Sequence, residues 1–519
     1  MTVHSVGICS LAINFPSLIR TNGYWDEKFP DLANPSKAGR LRLPRVPGFA
    51  SSENGDGMNL WSQAVSPYLS DPFRGSVERR VLAQGESSLM LECCAAQDAL
   101  EAANLCPENI DLAIATSIFS EQTGFGHAAP LARELGLRCP AWNLESTCSS
   151  ALVALQTARA LVQAGEHRRV LVVVSHMGSR AVDEADTLSW SMGDGAGAFI
   201  VSALKPEQGV LSTKVVSTTA TWGAYCHEWG VDDQGVPWQR LRTGENASAI
   251  AETAGDFVRD CCTGAAAKAD ISLNRVDFFV FNTPTAWYAN VCTQALGIDP
   301  ERTLNLYPRY ANIGPVFPIA NLYHAVQSGK LRENDLVLVY TNGADATAAA
   351  TVMRWGDVSL GTAPAPPLND LSSLEAVQFA TSGSYLSETS SATQASPLSR
   401  AMLLATLPSQ QQQLLESYLQ AWLASALQVP RNQISTQQPF ATLLDSLMAL
   451  MFRSHIETDL QVKVSMEQFF GSNTLTQLAE TILNRIVLEQ LVLKQLLRSE
   501  QDADTTSPNA EEKREQLTL

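Results

Sequence analysis

Four short apolar runs constrain the fold of this 519-residue chain more than any other feature. Each run begins with a charged residue and ends in small polar residues, and the runs cover residues 111–117, 169–175, 277–283 and 335–341. Uninterrupted apolar runs of this length are typical of strands that are buried on both faces of a sheet. Segments with helical periodicity separate the runs, so the sequence predicts an α/β fold with substantially parallel strand pairing.

The order of these elements repeats once. The run at Asp111 is followed by a helical segment ending in Leu135-Gly136, a short extended stretch, and a second helix that begins near Cys148. The run at Asp277 is followed in the same order by a helix ending in Leu296-Gly297, an extended stretch, and a helix that begins near Asn312. This pattern indicates two duplicated halves, in which Cys148 and Asn312 occupy equivalent positions.

Composition divides the chain into four segments. Residues 359–398 are rich in Pro, Ser, Thr and Ala and read as a linker, and residues 493–519 read as a charged tail. Between them, residues 399–492 show helical periodicity over a length that suits one small domain. Residues 1–358 then form the large α/β domain.

Charge and composition limit which kinds of molecule this protein is expected to bind. The net charge of −17 and the pI near 4.9 argue against a nucleic-acid partner, because no basic stripe could neutralise phosphates. The apolar runs are too short to span a membrane, and the first ten residues lack the pattern of a secretory signal. The ten cysteines include no CxxC pair with metal spacing. We therefore expect a cytoplasmic protein with reduced thiols, no membrane partner and no metal site.

Cys148 is the candidate nucleophile. Apolar residues recur behind it at helical spacing, at Leu152, Leu155, Ala158 and Val162. A cysteine at a helix N-terminus lies near partial positive charge and free backbone N–H groups, which are expected to lower the thiol pKa and favour the thiolate. Thiolate is the species that attacks thioesters. The alternative is a buried structural cysteine.

The C-terminal segment carries a second candidate site. The predicted helix Gln410–Leu427 has one apolar face, and Asp445-Ser446-Leu447 stands at the start of a helix that runs through Ile456. Further apolar segments around Phe469 and Thr474-Leu475 complete a small four-helix unit. A helix start suits a phosphodiester on Ser446, but Asp-Ser is also an ordinary helix N-cap.

The large domain resembles β-ketoacyl-acyl-carrier-protein synthase III and its relatives of the thiolase superfamily. The resemblance covers residues 3–358, and its motifs appear in the order of that family. They are the Cys148 segment, the run 170–175, the glycine-rich run 191–199, Tyr310-Ala311-Asn312-Ile313-Gly314, and Thr341-Asn342-Gly343-Ala344.

The resemblance implies a five-layered αβαβα thiolase-like fold built from two similar halves, in a homodimer. It also implies an acyl thioester on Cys148, with Asn312 as a catalytic partner. The oxyanion would be stabilised by two backbone N–H groups, from Cys148 and from the loop near Gly343. The glycines of residues 193–197 are expected to shape a tight turn beneath the site.

One departure from the family pattern bears directly on mechanism. Condensing members use a histidine after the third apolar run, whereas this chain has Asn282 or Thr283 at that position. An asparagine can donate a hydrogen bond but cannot carry a proton or a positive charge. His127, His227 and His324 lie elsewhere in the sequence and are expected to be structural, the alternative being an imidazole relocated to His127 or His227. The departure favours acyl transfer, which requires no enolate stabiliser, without excluding carbon–carbon bond formation.

The C-terminal segment resembles an acyl carrier protein of polyketide synthases, on the Asp445-Ser446-Leu447 motif and the later landmarks at Phe469 and Thr474-Leu475. The resemblance implies 4'-phosphopantetheine attached covalently to Ser446 by a pantetheinyl transferase. It also implies acyl-CoA or acyl-carrier thioesters as substrates, and the chain's own carrier or another one as the partner.

Three functions are compatible with these patterns. The first is an acyltransferase of a polyketide- or fatty-acid-type pathway that loads Cys148 and passes the acyl group to a carrier phosphopantetheine. The second is a decarboxylative synthase that condenses the acyl group with a malonyl-carrier during chain initiation, with Asn282 and Asn312 in place of the histidine–asparagine pair. The third is a non-catalytic docking protein for a carrier, against which the presence of Cys148 and Asn312 argues.

Overall fold

The computed structural model describes residues 5–30, 56–68, 71–121, 125–231, 235, 237–362, 398–427, 429–440, 446–464, 466–469 and 473–487. The chain divides into two units, Met1–Ser390 and Ser391–Leu519. None of the helices in the described ranges combines the length and apolar character needed to cross a membrane. Most of the predicted linker and all of the predicted tail lie outside the described residues.

The first unit is built from alternating strands and helices. In chain order its strands are β1 Val6–Asn14, β2 Leu18–Thr21, β3 Glu78–Val81, β4 Leu112–Ile118, β5 Ala141–Asn143, β6 Arg169–Met177, β7 Asp194–Ala203, β8 Gly209–Ser217, β9 Tyr225–Val231, β10 Pro237–Thr243, β11 Phe278–Phe281, β12 Leu336–Asn342, β13 Thr347–Arg354 and β14 Ser359–Leu360. Its helices are α1 Gly23–Lys28, α2 Asp56–Val65, α3 Ser88–Ala102, α4 Ala128–Glu134, α5 Ser150–Ala164, α6 Gly178–Ala181, α7 Ser248–Lys268, α8 Tyr288–Leu296, α9 Tyr307–Tyr310 and α10 Phe317–Gln327.

Two sheets share one strand order, which confirms the duplication. The first sheet runs β14-β1-β7-β6-β4-β5 and the second runs β11-β12-β13-β8. The series β1-β7-β6-β4 in the first sheet corresponds to β8-β13-β12-β11 in the second. In each series the first two pairs are antiparallel and the last pair is parallel. In both halves a glycine with a left-handed backbone follows the equivalent helix, Gly136 after α4 and Gly297 after α8.

Helices cover and separate the sheets in five layers. Helix α3 packs on the outer face of the first sheet, α5 and α10 lie between the sheets, and α7 packs on the outer face of the second. The apolar positions of α5 that recur at helical spacing, from Leu152 to Val162, are all buried. The thiolase-like αβαβα architecture is therefore confirmed.

Two details differ from the sequence-based expectation. Parallel pairing holds between β4 and β6 and between β11 and β12, but the sheets as a whole are mixed. Strand β14 pairs with β1 and the Gly361 N–H donates to the Leu11 carbonyl, so the large domain extends beyond the predicted boundary at residue 358. The composition of this stretch resembles a linker, and only the pairing with β1 places it in the sheet.

The second unit is helical. Its helices are α11 Arg400–Ala405, α12 Pro408–Ala426 and α13 Ser446–Leu460, and residues 475–487 are also helical. Their apolar faces form one core, in which Phe452, Phe469 and Leu475 are fully buried and Trp422 stacks on Phe452 at 4.6 Å between ring centroids. The predicted helix 410–427 is observed within two residues of its predicted bounds.

Candidate active site

Cys148 lies in the 3₁₀ turn Thr147–Ser149, which leads directly into α5. The turn is held by Ser150, whose hydroxyl donates to the Thr147 carbonyl at 2.7 Å and accepts from the Ser146 N–H at 2.7 Å. Thr147 has a left-handed backbone with φ of +46°. The Cys148 N–H makes no hydrogen bond to another described residue and lies against its own Sγ. This N–H is therefore free to donate to an oxyanion formed at the sulfur.

The thiol itself is protonated at neutral pH. Burial raises the pKa of the Cys148 thiol to about 11, although its own backbone N–H acts in the opposite direction. Tyr225 lies beside it: burial, together with the charges of Cys148 and Asp345, raises the pKa of that phenol to about 12. The expectation of a lowered thiol pKa at the helix start was wrong, because removal of water outweighs the N-terminal N–H groups.

The raised pKa predicts the pH dependence of Cys148 alkylation. Only the thiolate reacts, so the rate with iodoacetamide should rise about tenfold per pH unit and show no plateau below pH 10. Peptide mass spectrometry of Cys148 measures that rate. A short unstructured peptide with one cysteine in the same buffers is the control, and its rate should level off above the cysteine pKa of about 8.5. A Cys148 rate that is already constant above pH 8 would contradict the raised pKa.

Asn312 is brought to Cys148 by packing of the two equivalent turns. The 3₁₀ turn Gly314–Val316 packs against the turn that holds Cys148. The Asn312 side chain is fixed because its Oδ1 accepts the Gly314 N–H at 2.9 Å. Its backbone N–H donates to the Ser191 carbonyl at 2.8 Å, and its carbonyl accepts the Gly193 N–H at 3.0 Å. The side-chain oxygen and both backbone polar groups of Asn312 are therefore engaged within the domain.

The glycine-rich run allows close packing and does not form the expected turn. Gly195 and Gly197 lie within β7, and Gly193 directly precedes it. A Cβ on Gly193 would lie 2.0 Å from the Tyr310 carbonyl oxygen, and a Cβ on Gly197 would lie 2.8 Å from the Ile319 side chain. Glycine is required because the asparagine segment and α10 approach the strand this closely.

Asn282 and Thr283 follow β11 and are both fully buried. The Asn282 Oδ1 accepts the Asn342 N–H at 2.9 Å, which fixes the orientation of the amide. The Asn282 Nδ2 and the Thr283 Oγ1 have no hydrogen-bond partner. A buried polar group without a partner is costly, so these two atoms are functional candidates.

Gly343 is not free to act as the second oxyanion donor. Its N–H donates to the Thr347 carbonyl at 2.9 Å, and its carbonyl accepts the Thr218 hydroxyl at 2.6 Å. A Cβ on Gly343 would lie 2.3 Å from the Thr147 Oγ1 and 2.7 Å from the Ser146 carbonyl. The glycine therefore lets the loop approach the nucleophile turn, and the donor role expected for it does not fit the structure.

In the second unit, Ser446 is the first residue of the 15-residue helix α13. The first-turn N–H groups of such a helix have no intrahelical partner, and the helix dipole favours an anion there. Asp445 lies outside the described residues. This placement of Ser446 fits a phosphodiester linkage.

Both units of the chain match models of known protein families. Residues 142–219 match the family model of 3-oxoacyl-[acyl-carrier-protein] synthase III, residues 266–355 match the model of its C-terminal part, and residues 417–482 match the phosphopantetheine attachment site. β-Ketoacyl-[acyl-carrier-protein] synthase III of Brucella suis is 28% identical over 291 residues, covering 54% of this chain and 88% of that protein.

Solved structures of synthases III share the fold of the first unit. The synthase III structure from Thermus thermophilus superposes with a TM-score of 0.53 at 25% identity, over 68% of this chain and 99% of that one. The structure from Aquifex aeolicus gives a TM-score of 0.53 at 21% identity, over 67% and 100%. The first unit is therefore similar to synthase III, and we call it the synthase III-like domain; the second unit matches a carrier domain.

The carrier domain bears 4'-phosphopantetheine on a serine, as its match to the attachment-site model indicates. Ser446, the first residue of α13, lies within the matched range. The arm supplies a flexible thiol on which an acyl group is carried as a thioester.

Sequence reasoning missed one histidine of the synthase III-like domain. His176 lies in β6 directly after the apolar run 169–175, and its Nδ1 is 3.0 Å from the Gly193 carbonyl oxygen. Because a carbonyl only accepts, Nδ1 carries the proton. Burial lowers the pKa of His176 to about 4, so the ring is neutral at pH 7. His176 thus holds the Gly193 peptide, whose N–H in turn holds Asn312.

The position of His176 after a buried parallel strand was the available sequence signal. Its ring fits between two glycines, since a Cβ on Gly178 or Gly314 would lie 2.5 or 2.6 Å from a ring carbon. The three histidines considered from the sequence have other surroundings. The His127 Nδ1 lies 2.8 Å from a Glu92 oxygen, the His324 Nε2 lies 3.0 Å from the Tyr310 hydroxyl, and His227 is exposed on β9.

Proposed function

We propose that the synthase III-like domain is an acyltransferase that forms an acyl thioester on Cys148 and passes the acyl group to a carrier thiol. The observation that carries this proposal is the combination of a free N–H at Cys148 with the neutral, fully buried Asn282 and Thr283 at the position of the family histidine. The free N–H supports attack on a thioester carbonyl. Asparagine or threonine at the position of the family histidine means that the imidazole used in condensation is missing there.

The proposed transfer requires only Cys148, a thioester substrate and a carrier thiol. The Cys148 sulfur attacks the carbonyl carbon of an acyl-CoA or acyl-carrier thioester while the Cys148 N–H donates to the developing oxyanion. Cys148 reacts through the small fraction of thiolate, whose proton has passed to solvent, and the departing thiolate takes up a proton from solvent, so the step is balanced in protons. In the return step the acyl carbon is attacked by a carrier thiol, and Cys148 leaves and recovers a proton.

Decarboxylative condensation is the second candidate. It is favoured by the names of the curated relatives, which are β-ketoacyl-[acyl-carrier-protein] synthases III, and by the packing of the turn after Asn312 against the turn that holds Cys148. In this function Asn282 and Asn312 would both donate to the enolate oxygen formed as carbon dioxide leaves.

The ratio of transfer to condensation separates the two functions. Without an imidazole, enolate stabilisation should be weaker by about 3 kcal/mol, which slows condensation about a hundredfold, whereas acyl transfer escapes that cost. The protein is offered acyl-CoA and a malonyl-carrier together, and carbon dioxide release is compared with acyl exchange. Stoichiometric decarboxylation with a β-ketoacyl product would contradict the transferase function and support condensation.

A homodimer is part of the proposal. Strand β5 is at the edge of the first sheet, and it presents Trp142 at 39% exposure. The adjacent Phe125, whose carbonyl accepts the Asn143 amide at 2.7 Å, is 88% exposed. An open strand edge flanked by exposed aromatic side chains favours pairing with a second copy. The acceptor carrier is either the chain's own domain or that of another protein.

A further inference from the structure

Several buried polar atoms without a hydrogen-bond partner lie in the segment after β11 and on Asn342, which is hydrogen-bonded to that segment. We call the group formed by Asn282, Thr283 and Asn342 the amide recess. The Asn282 Nδ2, the Thr283 Oγ1 and one amide atom of Asn342 have no hydrogen-bond partner. The next polar atoms along the chain, Thr285 Oγ1 and Trp287 Nε1, are also buried without a partner. Because each such atom is costly to bury, the concentration points to a polar ligand group that completes the recess.

The amide recess adjoins the nucleophile turn. Asn342 is held on both sides, since its N–H donates to the Asn282 Oδ1 at 2.9 Å and its side-chain amide lies 3.1 Å from the Tyr288 hydroxyl. The next residue, Gly343, touches Ser146 and Thr147, which precede Cys148. The segment that carries Asn342 therefore packs directly against the turn that holds Cys148.

The chemistry of the recess is neutral and offers both donors and acceptors. Asn282 presents only N–H, because its oxygen is already engaged, whereas the Thr283 hydroxyl both donates and accepts. No Lys, Arg or His side chain in the described ranges donates a hydrogen bond to Asn282, Thr283 or Asn342. A buried carboxylate would be unpaired here and strongly disfavoured. An alkyl chain would leave every atom of the recess unsatisfied.

We infer that the amide recess receives a hydroxyl group on Cα or Cβ of the acyl group, so that hydroxyacyl thioesters are the preferred substrates. A hydroxyl fits because it accepts from the Asn282 amide and donates to the Thr283 oxygen at once. This inference rests on the proposed acyl transfer through Cys148 and names its substrate class. Sites built to hydrogen-bond a substrate hydroxyl discriminate strongly against analogues that lack it.

The test compares acylation rates of Cys148 by intact mass spectrometry. The full-length protein is offered butyryl-CoA, 2-hydroxybutyryl-CoA, 3-hydroxybutyryl-CoA and malonyl-CoA. One hydroxybutyryl thioester should react faster than butyryl-CoA by on the order of 10- to 100-fold. Equal rates for butyryl and both hydroxybutyryl thioesters, or a preference for malonyl-CoA, would overturn the inference.

A variant and its matched control test whether the amide recess causes the preference for hydroxyacyl thioesters. Thr283→Val removes the hydroxyl at constant shape and should bring the rate ratio of hydroxybutyryl to butyryl close to one. The control is Thr351→Val, since Thr351 is equally buried but its hydroxyl lies 3.2 Å from the Thr213 hydroxyl. The control should keep the wild-type ratio. A ratio is insensitive to general loss of folded protein, and an unchanged ratio in Thr283→Val would refute the inference.

A second measurement separates failure of this inference from failure of the proposed function. If no thioester acylates Cys148, the proposed function fails, and ligand-induced thermal shifts then decide the inference. The probes are the pantetheine amides of butyric acid and of 2- and 3-hydroxybutyric acid, which cannot transfer their acyl group. A larger shift with one hydroxylated amide supports the recess, and equal shifts overturn it.

Discussion

Cys148→Ala is expected to abolish covalent acylation of the synthase III-like domain, a loss on the order of 10³-fold or more. The reason is that the sulfur is the only atom on which the acyl group is proposed to be held. Alanine keeps the backbone N–H, so binding without a covalent bond should survive. Intact mass spectrometry after incubation with a reactive acyl-CoA measures the loss.

A second cysteine serves as the control for that result. Cys139 is also partly buried but precedes β5 and is not part of the nucleophile turn. Cys139→Ala should acylate at the wild-type rate. Continued acylation of the Cys148→Ala protein, mapped to another residue of the domain, would show that the nucleophile has been assigned wrongly.

Ser446→Ala is expected to abolish attachment of phosphopantetheine. Ser446 begins α13, where unpaired N–H groups and the helix dipole suit the phosphodiester. Incubation of the apo-protein with CoA and a pantetheinyl transferase should add one prosthetic group to the wild type and none to the variant. The mass of the intact protein reports the outcome directly.

Ser435→Ala is the matched control in the carrier domain, because Ser435 is exposed and precedes a turn, not a long helix. It should be modified like the wild type. Modification of the Ser446→Ala protein would move the attachment to a different serine. Loss of modification in both variants would indicate a general defect of the carrier domain, which a thermal unfolding curve of each variant would reveal.

The elements of the fold followed from local patterns in the sequence. Four charge-led apolar runs predicted β4, β6, β11 and β12, because strands buried on both faces must be apolar throughout. The repeated order around Cys148 and Asn312 predicted two similar halves, and the matching strand orders of the sheets confirm them. Strand direction in β7 and β13 could not be predicted, since an apolar run fits parallel and antiparallel neighbours equally well.

In the candidate active site, too, some features depend on residues adjacent in the chain and others on the folded structure. Motif order alone singled out Cys148 and Asn312, and the Asp-Ser motif singled out Ser446, because each depends on residues adjacent in the chain. The pKa of the Cys148 thiol could not be predicted from adjacent residues, since it depends on how much protein surrounds the sulfur after folding.

Hydrogen bonds between distant segments decided the remaining features. The Gly343 N–H donates to Thr347, and His176 supports Asn312 through the Gly193 peptide.

The sequence by itself determined the fold class, the carrier domain and the absence of a histidine after β11, because residue identity and periodicity are sufficient for each. Only the tertiary structure decided which polar atoms are left without partners in the amide recess. Asn282 and Asn342 are 60 positions apart, and they meet because β11 and β12 pair in parallel. Hydrogen-bond satisfaction is a property of the packed chain, and it therefore cannot be assigned from either segment alone.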